Sequence, residues 1–158
     1  MMLISFNSFA CDCECKGDCS FSSVMNGMEF VALIRVIEYT DYVKIYTNST
    51  PKEMPLSMVV ELIKKYKGKE SRERIKIWGD DGMLCRPYVK YFNIDSYYLI
   101  APQKIEKDSE IGGKGDYEFF TCWNDYLEVD FEKQVAYGKY SKRKRKISLE
   151  KFEKQFQK

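Results

Sequence analysis

The sequence contains no histidine. That absence removes the commonest general base near neutral pH and the commonest metal ligand. It excludes Ser-His-Asp and Cys-His mechanisms and any zinc site built with a histidine. Proline is scarce, at 4 of 158 residues. No stretch approaches the roughly 18 consecutive apolar residues that a membrane-spanning helix needs. The paired Cys-x-x-Cys pattern of structural zinc sites is missing, as is a phosphate-cradling glycine loop. With 26 Lys and Arg against 24 Asp and Glu, the net charge is only +2, which is no global nucleic-acid signature. No two carboxylates have a spacing that favours acid–base work over surface charge. These absences argue against an enzyme, a resident metal and a cofactor.

What is present points to one β-rich domain. At this length a single domain buries roughly 70% of its unfolded surface. The 12 Tyr and 10 Phe, with many Val and Ile, lean towards strands. Residues 29–39 (EFVALIRVIEY) form a long apolar run that reads as a strand buried on both faces at its centre. Residues 42–47 alternate and read as a second strand, and residues 48–55 as a turn with two Pro. Residues 56–66 (LSMVVELIKKY) fit both periods, with a slight preference for a helix. Further strands are expected at 74–78, 97–101, 117–123, 127–131 and 134–140. At the carboxyl end, Ser148 can cap a helix whose Leu149, Phe152 and Phe156 form one apolar stripe. Many short strands with one or two helices suggest a small barrel.

The six cysteines are placed unevenly. Cys11, Cys13, Cys15 and Cys19 fall within nine residues, and Cys85 and Cys122 stand alone. Residues 1–10 (MMLISFNSFA) read as the remnant of a signal peptide or leader, with small Ser8 and Ala10 before Cys11. A lipid on Cys11 is a variant of that reading. An even cysteine count behind such a start favours disulfides and a secreted, periplasmic or cell-surface location. The competing reading is a thiolate site for a soft metal, for which C-x-C-x-C-x-x-x-C is a loose match. A bridge from Cys11 or Cys13 to Cys85 would close a loop of about 70 residues, contributing about 4 kcal/mol.

Two further features carry candidate chemistry. The run Lys142, Arg143, Lys144, Arg145 and Lys146 is either a solvated connector or a site for a polyanion such as a glycan, an acidic lipid surface or nucleic acid. Asp80 and Asp81, between Gly79 and Gly82, read as a turn, with calcium as the functional alternative. Trp78, Tyr88, Tyr91 and Phe92 read as core or rim aromatics, with an aromatic surface as the alternative.

The order of features resembles a known family. A Cys-x-Cys behind a cleavable start is followed by a helix-like segment and the long strand FVALIRV. IKKYKG comes next, then IKIWGDDGMLC with its cysteine after a turn, YYLIAP, and a cysteine in FFTCW. This resembles the netrin-like domain of the tissue inhibitors of metalloproteinases, over roughly residues 11–131. The resemblance implies a five-stranded OB-fold barrel with flanking helices, in which residues 58–66 are the second strand. Residues 11–140 would be that domain, and 141–158 a basic connector and helix packed on it. It implies bridges Cys11–Cys85 and Cys13–Cys122, leaving Cys15–Cys19. A second register makes Cys13-x-Cys15 the matching pair and frees Cys11 for Cys19 or a lipid.

In that family the α-amino group and carbonyl of the first cysteine chelate the protease's zinc, and the second residue enters the specificity pocket. The resemblance therefore implies a non-catalytic, monomeric protein-binding domain with Cys11, Asp12 and Cys13 as contact residues and a zinc metalloprotease as candidate partner. Asp12 departs from the pattern, because a carboxylate in an apolar pocket is costly. The resemblance covers only the first of that family's two domains. The alternative is a netrin-like module that binds a polyanion or surface partner through residues 142–146 without inhibiting anything. Specific nucleic-acid recognition is not expected.

Overall fold

A computed structural model describes residues 14–15, 17–47 and 50–157. The elements in chain order are α1 (Phe21–Gly27), β1 (Val31–Thr47), β2 (Thr50–Lys67), β3 (Arg74–Trp78), β4 (Tyr97–Ile100), β5 (Gln103–Lys104), β6 (Tyr117–Glu118), β7 (Tyr126–Asp130), β8 (Val135–Tyr137), β9 (Lys146–Ser148) and α2 (Leu149–Glu153).

The architecture is mainly β, but the expected five-stranded OB-fold barrel is not what forms. The strands make one open, mixed sheet in the order β5-β6-β3-β2-β1-β4-β7-β8-β9. All neighbours are antiparallel except β3 and β6, which are parallel. The reason lies in residues 117–131, where strands are expected at 117–123 and 127–131. Tyr117 and Glu118 pair with β3, whereas Tyr126 to Asp130 pair with β4. Between them the chain turns, with Trp123 N–H on the Phe120 carbonyl at 2.9 Å. The strand expected at 117–123 thus stops at Glu118, and the ladder does not run continuously around.

The amino-terminal strands also differ from expectation. Residues 31–47 form one strand rather than two, and Asp41 at φ 52° bends it without ending it. β2 is a strand throughout, so the helical spacing at 56–66 is overridden. The distal halves of β1 and β2 run past β3 and β4 as a two-stranded ribbon that exposes Tyr42 and Tyr46. Pro51 and Pro55 sit in the part of β2 that β3 does not cover, where strand proline is tolerated.

The sheet separates two apolar layers. Val31 and Leu33 of β1 face Leu99, Leu127 and Val129, and α1 and α2 close over them with Phe21 and Phe152. Ala32, Ile34 and Val36 face Met58, Val60, Ile77, Phe92 and Phe119 on the other side. The apolar run of β1 is therefore explained by burial on both faces. Phe152 is fully buried, which contributes about 1.5–3 kcal/mol. Ser148 caps α2 by accepting the Lys151 N–H at 3.4 Å.

The β2–β3 connection depends on Gly68, whose φ is +87° and whose missing Cβ would strike the Glu29 carbonyl. Gly68→Ala is expected to cost about 1–3 kcal/mol. The midpoint of urea unfolding would measure it, and an unchanged midpoint would mean the turn relaxes freely.

Candidate functional site

The described cysteines converge on one junction. Cys15 and Cys19 form a disulfide, with Cα atoms 5.0 Å apart. The loop between them turns at Gly17 and Cys19, both at positive φ. Asp18 fixes its exit by accepting the Ser20 N–H at 3.0 Å and the Ser23 hydroxyl at 2.7 Å. The Ser20 and Ser23 hydroxyls hold the Asp18 carboxyl well below the usual carboxylate range. Cys85 and Cys122 are also disulfide-bonded. Their proposed partners Cys11 and Cys13, and the contact residue Asp12, lie outside the described residues.

Hydrogen bonds connect these stations. Asn124 donates its backbone N–H to the Cys19 carbonyl at 3.1 Å, and its side-chain amide at 2.5 Å. The Trp123 indole donates to the Glu14 carbonyl at 3.0 Å. Thr121 N–H donates to the Cys85 carbonyl at 2.9 Å. Segments about a hundred residues apart in sequence thus meet as one surface.

The loop before Cys85 is held from inside. Asp80 Oδ1 accepts the N–H groups of Gly82 at 2.9 Å and Leu84 at 2.7 Å. Asp81 Oδ1 accepts from Met83 at 2.9 Å. These oxygens build the turn, which is the bland reading of the Asp-Asp pair. Met83 is left 91% exposed at its tip. Behind it, Arg86 donates to the Ile111 carbonyl at 2.6 Å and pairs with Glu118. The four candidate aromatics separate: Trp78 and Phe92 are buried, while Tyr88 and Tyr91 meet edge-on at 5.8 Å near the surface. The latter two line a groove of about 770 Å³ beside the junction, with Trp123, Tyr126 and Tyr137.

Asp125 is the residue that the sequence reading missed. It is 2% exposed. Its Oδ2 accepts the Phe120 N–H at 2.6 Å, closing the turn that carries Cys122. Its Oδ1 has no partner. Burial pushes its carboxyl up to about 8. Nothing in the local sequence distinguishes this Asp from a surface one.

The basic run lies between β8 and β9 at the edge of the sheet, in the hairpin whose Lys139 donates to the Asp18 carbonyl at 2.6 Å. Ser141 and Lys144 exchange backbone hydrogen bonds across a turn. All five basic residues from Lys142 to Lys146 are exposed. Among the described residues none of the five forms an ion pair. Lys144 and Lys146 line a groove of about 630 Å³ together with Tyr137, Tyr140 and Lys151. Lys151 comes from α2, so the sequence run did not reveal it.

Among the described residues no group of three or more Cys, Asp or Glu is placed to hold a metal ion. No described helix is long and apolar enough to cross a membrane. No protein-family model matches the chain, and no curated protein matches it by sequence.

Proposed function

We propose that the chain is a non-catalytic protein-binding domain that presents its cysteine-pinned amino-terminal ribbon to a partner. One observation carries this reading: Glu14 and Cys19 accept hydrogen bonds from Trp123 and Asn124, and Cys85 accepts one from Thr121, so the ribbon closed by Cys15–Cys19 and the segment around Cys122 meet as one surface. A polar ribbon has little apolar area with which to hold itself down. Covalent and hydrogen-bonded fixation lowers the ordering cost that a partner would otherwise meet on binding. Disulfides in this number suit an oxidising compartment, so the domain acts outside the cytosol.

The acidic groups support a non-catalytic role. Asp18, Asp80 and Asp125 cap turns. Glu70 is held by Arg72 and by the Tyr117 hydroxyl at 2.9 Å. The hydrogen bonds of these four residues build the fold, and Asp80 also lines the groove beside the junction.

A zinc metalloprotease is the partner class to test first. A free amine and carbonyl at Cys11 would form a five-membered chelate on an open zinc position. The charge of Asp12 then selects proteases whose specificity pocket holds a polar or cationic group, since an apolar pocket would strand the carboxylate. The test is to prepare the protein with its amino terminus at Cys11 and its bridges intact, and titrate a panel of zinc proteases. Stoichiometric inhibition of at least one enzyme, lost on acetylating the terminal amine, is the expected result. No inhibition at micromolar concentration, with the amine confirmed free, would end the protease assignment.

A further inference from the structure

We infer that the groove between the β8–β9 hairpin and α2 binds a linear anionic glycan. The site shares Tyr137 with the groove beside the cysteine junction but none of its cations, so its failure would leave the ribbon reading untouched. Three features converge there. Lys144, Lys146 and Lys151 reach the groove from a turn, a strand and a helix. No Asp or Glu lines it. Among the described residues, the nearby acids on α2 are already occupied: Glu150 pairs with Lys154 at 2.5 Å and Glu153 with Lys64 at 2.6 Å. The groove is therefore lined by cations and by no acid, with Glu150 beside Lys151 the one acidic neighbour on α2 that lowers its field.

The walls suit sugar more than lipid or nucleic acid. Tyr137 lies opposite Lys146 across the β8–β9 pair and is 41% exposed. An aromatic face beside a cation can cover the apolar face of a pyranose while the ammonium meets its sulfate or carboxylate. Tyr140 is fixed beneath, its hydroxyl donating to Gln155 at 2.8 Å, so the floor is pre-formed. The site is an open groove of about 630 Å³ rather than a flat face, which suits a narrow chain. No large apolar side chain projects from the run to enter acyl chains. The oxidised cysteines fit a compartment where anionic glycans, not nucleic acids, are the abundant polyanions.

The experiment uses the full chain with its disulfides intact and a heparin-derived dodecasaccharide as probe, by calorimetry at several salt concentrations. Saturable one-to-one binding is expected, with an affinity that falls steeply with salt. Two variants remove the same charge from different places. The groove variant K144Q/K146Q/K151Q is expected to lose about tenfold in affinity and to flatten the salt slope by about two. The tip variant K142Q/R143Q/R145Q is expected to lose no more than about threefold. All six residues are solvent-accessible, and both variants are expected to melt with the parent protein. Amide exchange on the unmutated protein supplies a readout that needs no variant: the probe should protect residues 135–137 and 146–151. Equal losses in the two variants would reduce the effect to diffuse charge and overturn the site. So would absence of binding at 0.15 M salt, or tighter binding to phosphatidylserine vesicles or to a single-stranded 20-mer DNA.

Discussion

Replacing Cys122 by Ser is expected to cost about 2–5 kcal/mol of stability. For a domain of this size that lowers the melting temperature by about 5–20 °C. The bridge at Cys122 closes a long loop whichever amino-terminal cysteine it meets, because no described cysteine precedes it by fewer than 37 positions. In the chain-entropy account the stabilisation grows with loop length, to about 4 kcal/mol for a loop of 70 residues or more. The Cys15–Cys19 bridge spans a sequence separation of only 4, for which the same account gives about 2 kcal/mol. Cys15→Ser should therefore lower the melting temperature less than Cys122→Ser. Thermal unfolding under non-reducing conditions measures both. A Cys122→Ser protein that melts within 2 °C of the parent, on the ~2–4 °C per kcal/mol scale, would show that the junction does not anchor the fold.

Hydrogen bonding alone is too weak to hold the ribbon. Ordering each of residues 14–20 costs about 1–2 kcal/mol of backbone entropy. The bonds from Trp123 and Asn124 and those around Asp18 each return about 1 kcal/mol net. The shortfall is what the disulfides must cover. The amides of Thr121 and Asn124, which donate to the Cys85 and Cys19 carbonyls, should lose protection from exchange in Cys122→Ser before the β1–β2 ladder does.

The parts of the fold legible in the sequence are those where one periodicity dominates. The apolar run of residues 30–34 announces a strand buried on both faces, and β1 is that strand. Ser148 before Leu149 and Phe152 announces a capped helix, and α2 follows. Continuity was harder to read. Asp41 looks like a turn residue, but its positive φ is absorbed within a paired strand, where its carboxylate meets Ser57 of β2 and Lys76 of β3. At residues 117–131 the composition suggests strands at 117–123 and 127–131, but the first stops at Glu118 and Asp125 holds the turn that follows. That turn keeps the sheet open, and its cause is a buried side-chain bond that no spacing reveals. The candidate sites divide in the same way. The basic run is visible as a run, while its groove needs Tyr137 and Lys151 from other elements. Cysteine positions are visible, while Thr121, Trp123 and Asn124, which tie them together, carry no signature.

Stability should fall as pH rises from about 4 to about 8, and Asp125→Asn should abolish that fall. In the unfolded chain the Asp125 carboxyl ionises near 3.8, whereas in the folded protein burial pushes it up to about 8. Between those values the folded state holds a proton that the unfolded state has lost, so raising the pH favours unfolding. Below the lower value both states are protonated and the penalty is absent. Above the upper value it is complete, at roughly 6 kcal/mol as an upper limit. The window is otherwise quiet. There is no histidine to titrate in it. The Arg72 guanidinium holds the Glu70 carboxyl at about 2, so its stabilisation is present above about 4.5 and is lost below that. Burial pushes the Tyr66 and Tyr117 hydroxyls up to about 12, so their effect begins only above about 10. Asparagine keeps an acceptor oxygen for the Phe120 N–H and removes the charge. Its variant should match the parent near pH 4 and exceed it by several kcal/mol at pH 8. Asp125→Ala, by contrast, strands the Phe120 N–H and should be destabilised by about 1–3 kcal/mol even at pH 4. Urea unfolding of the three proteins across pH 4–9 separates these outcomes. Parallel curves for the parent and Asp125→Asn would mean that the unpartnered Oδ1 is solvated in solution, and that the turn carrying Cys122 opens far more readily than its buried geometry implies.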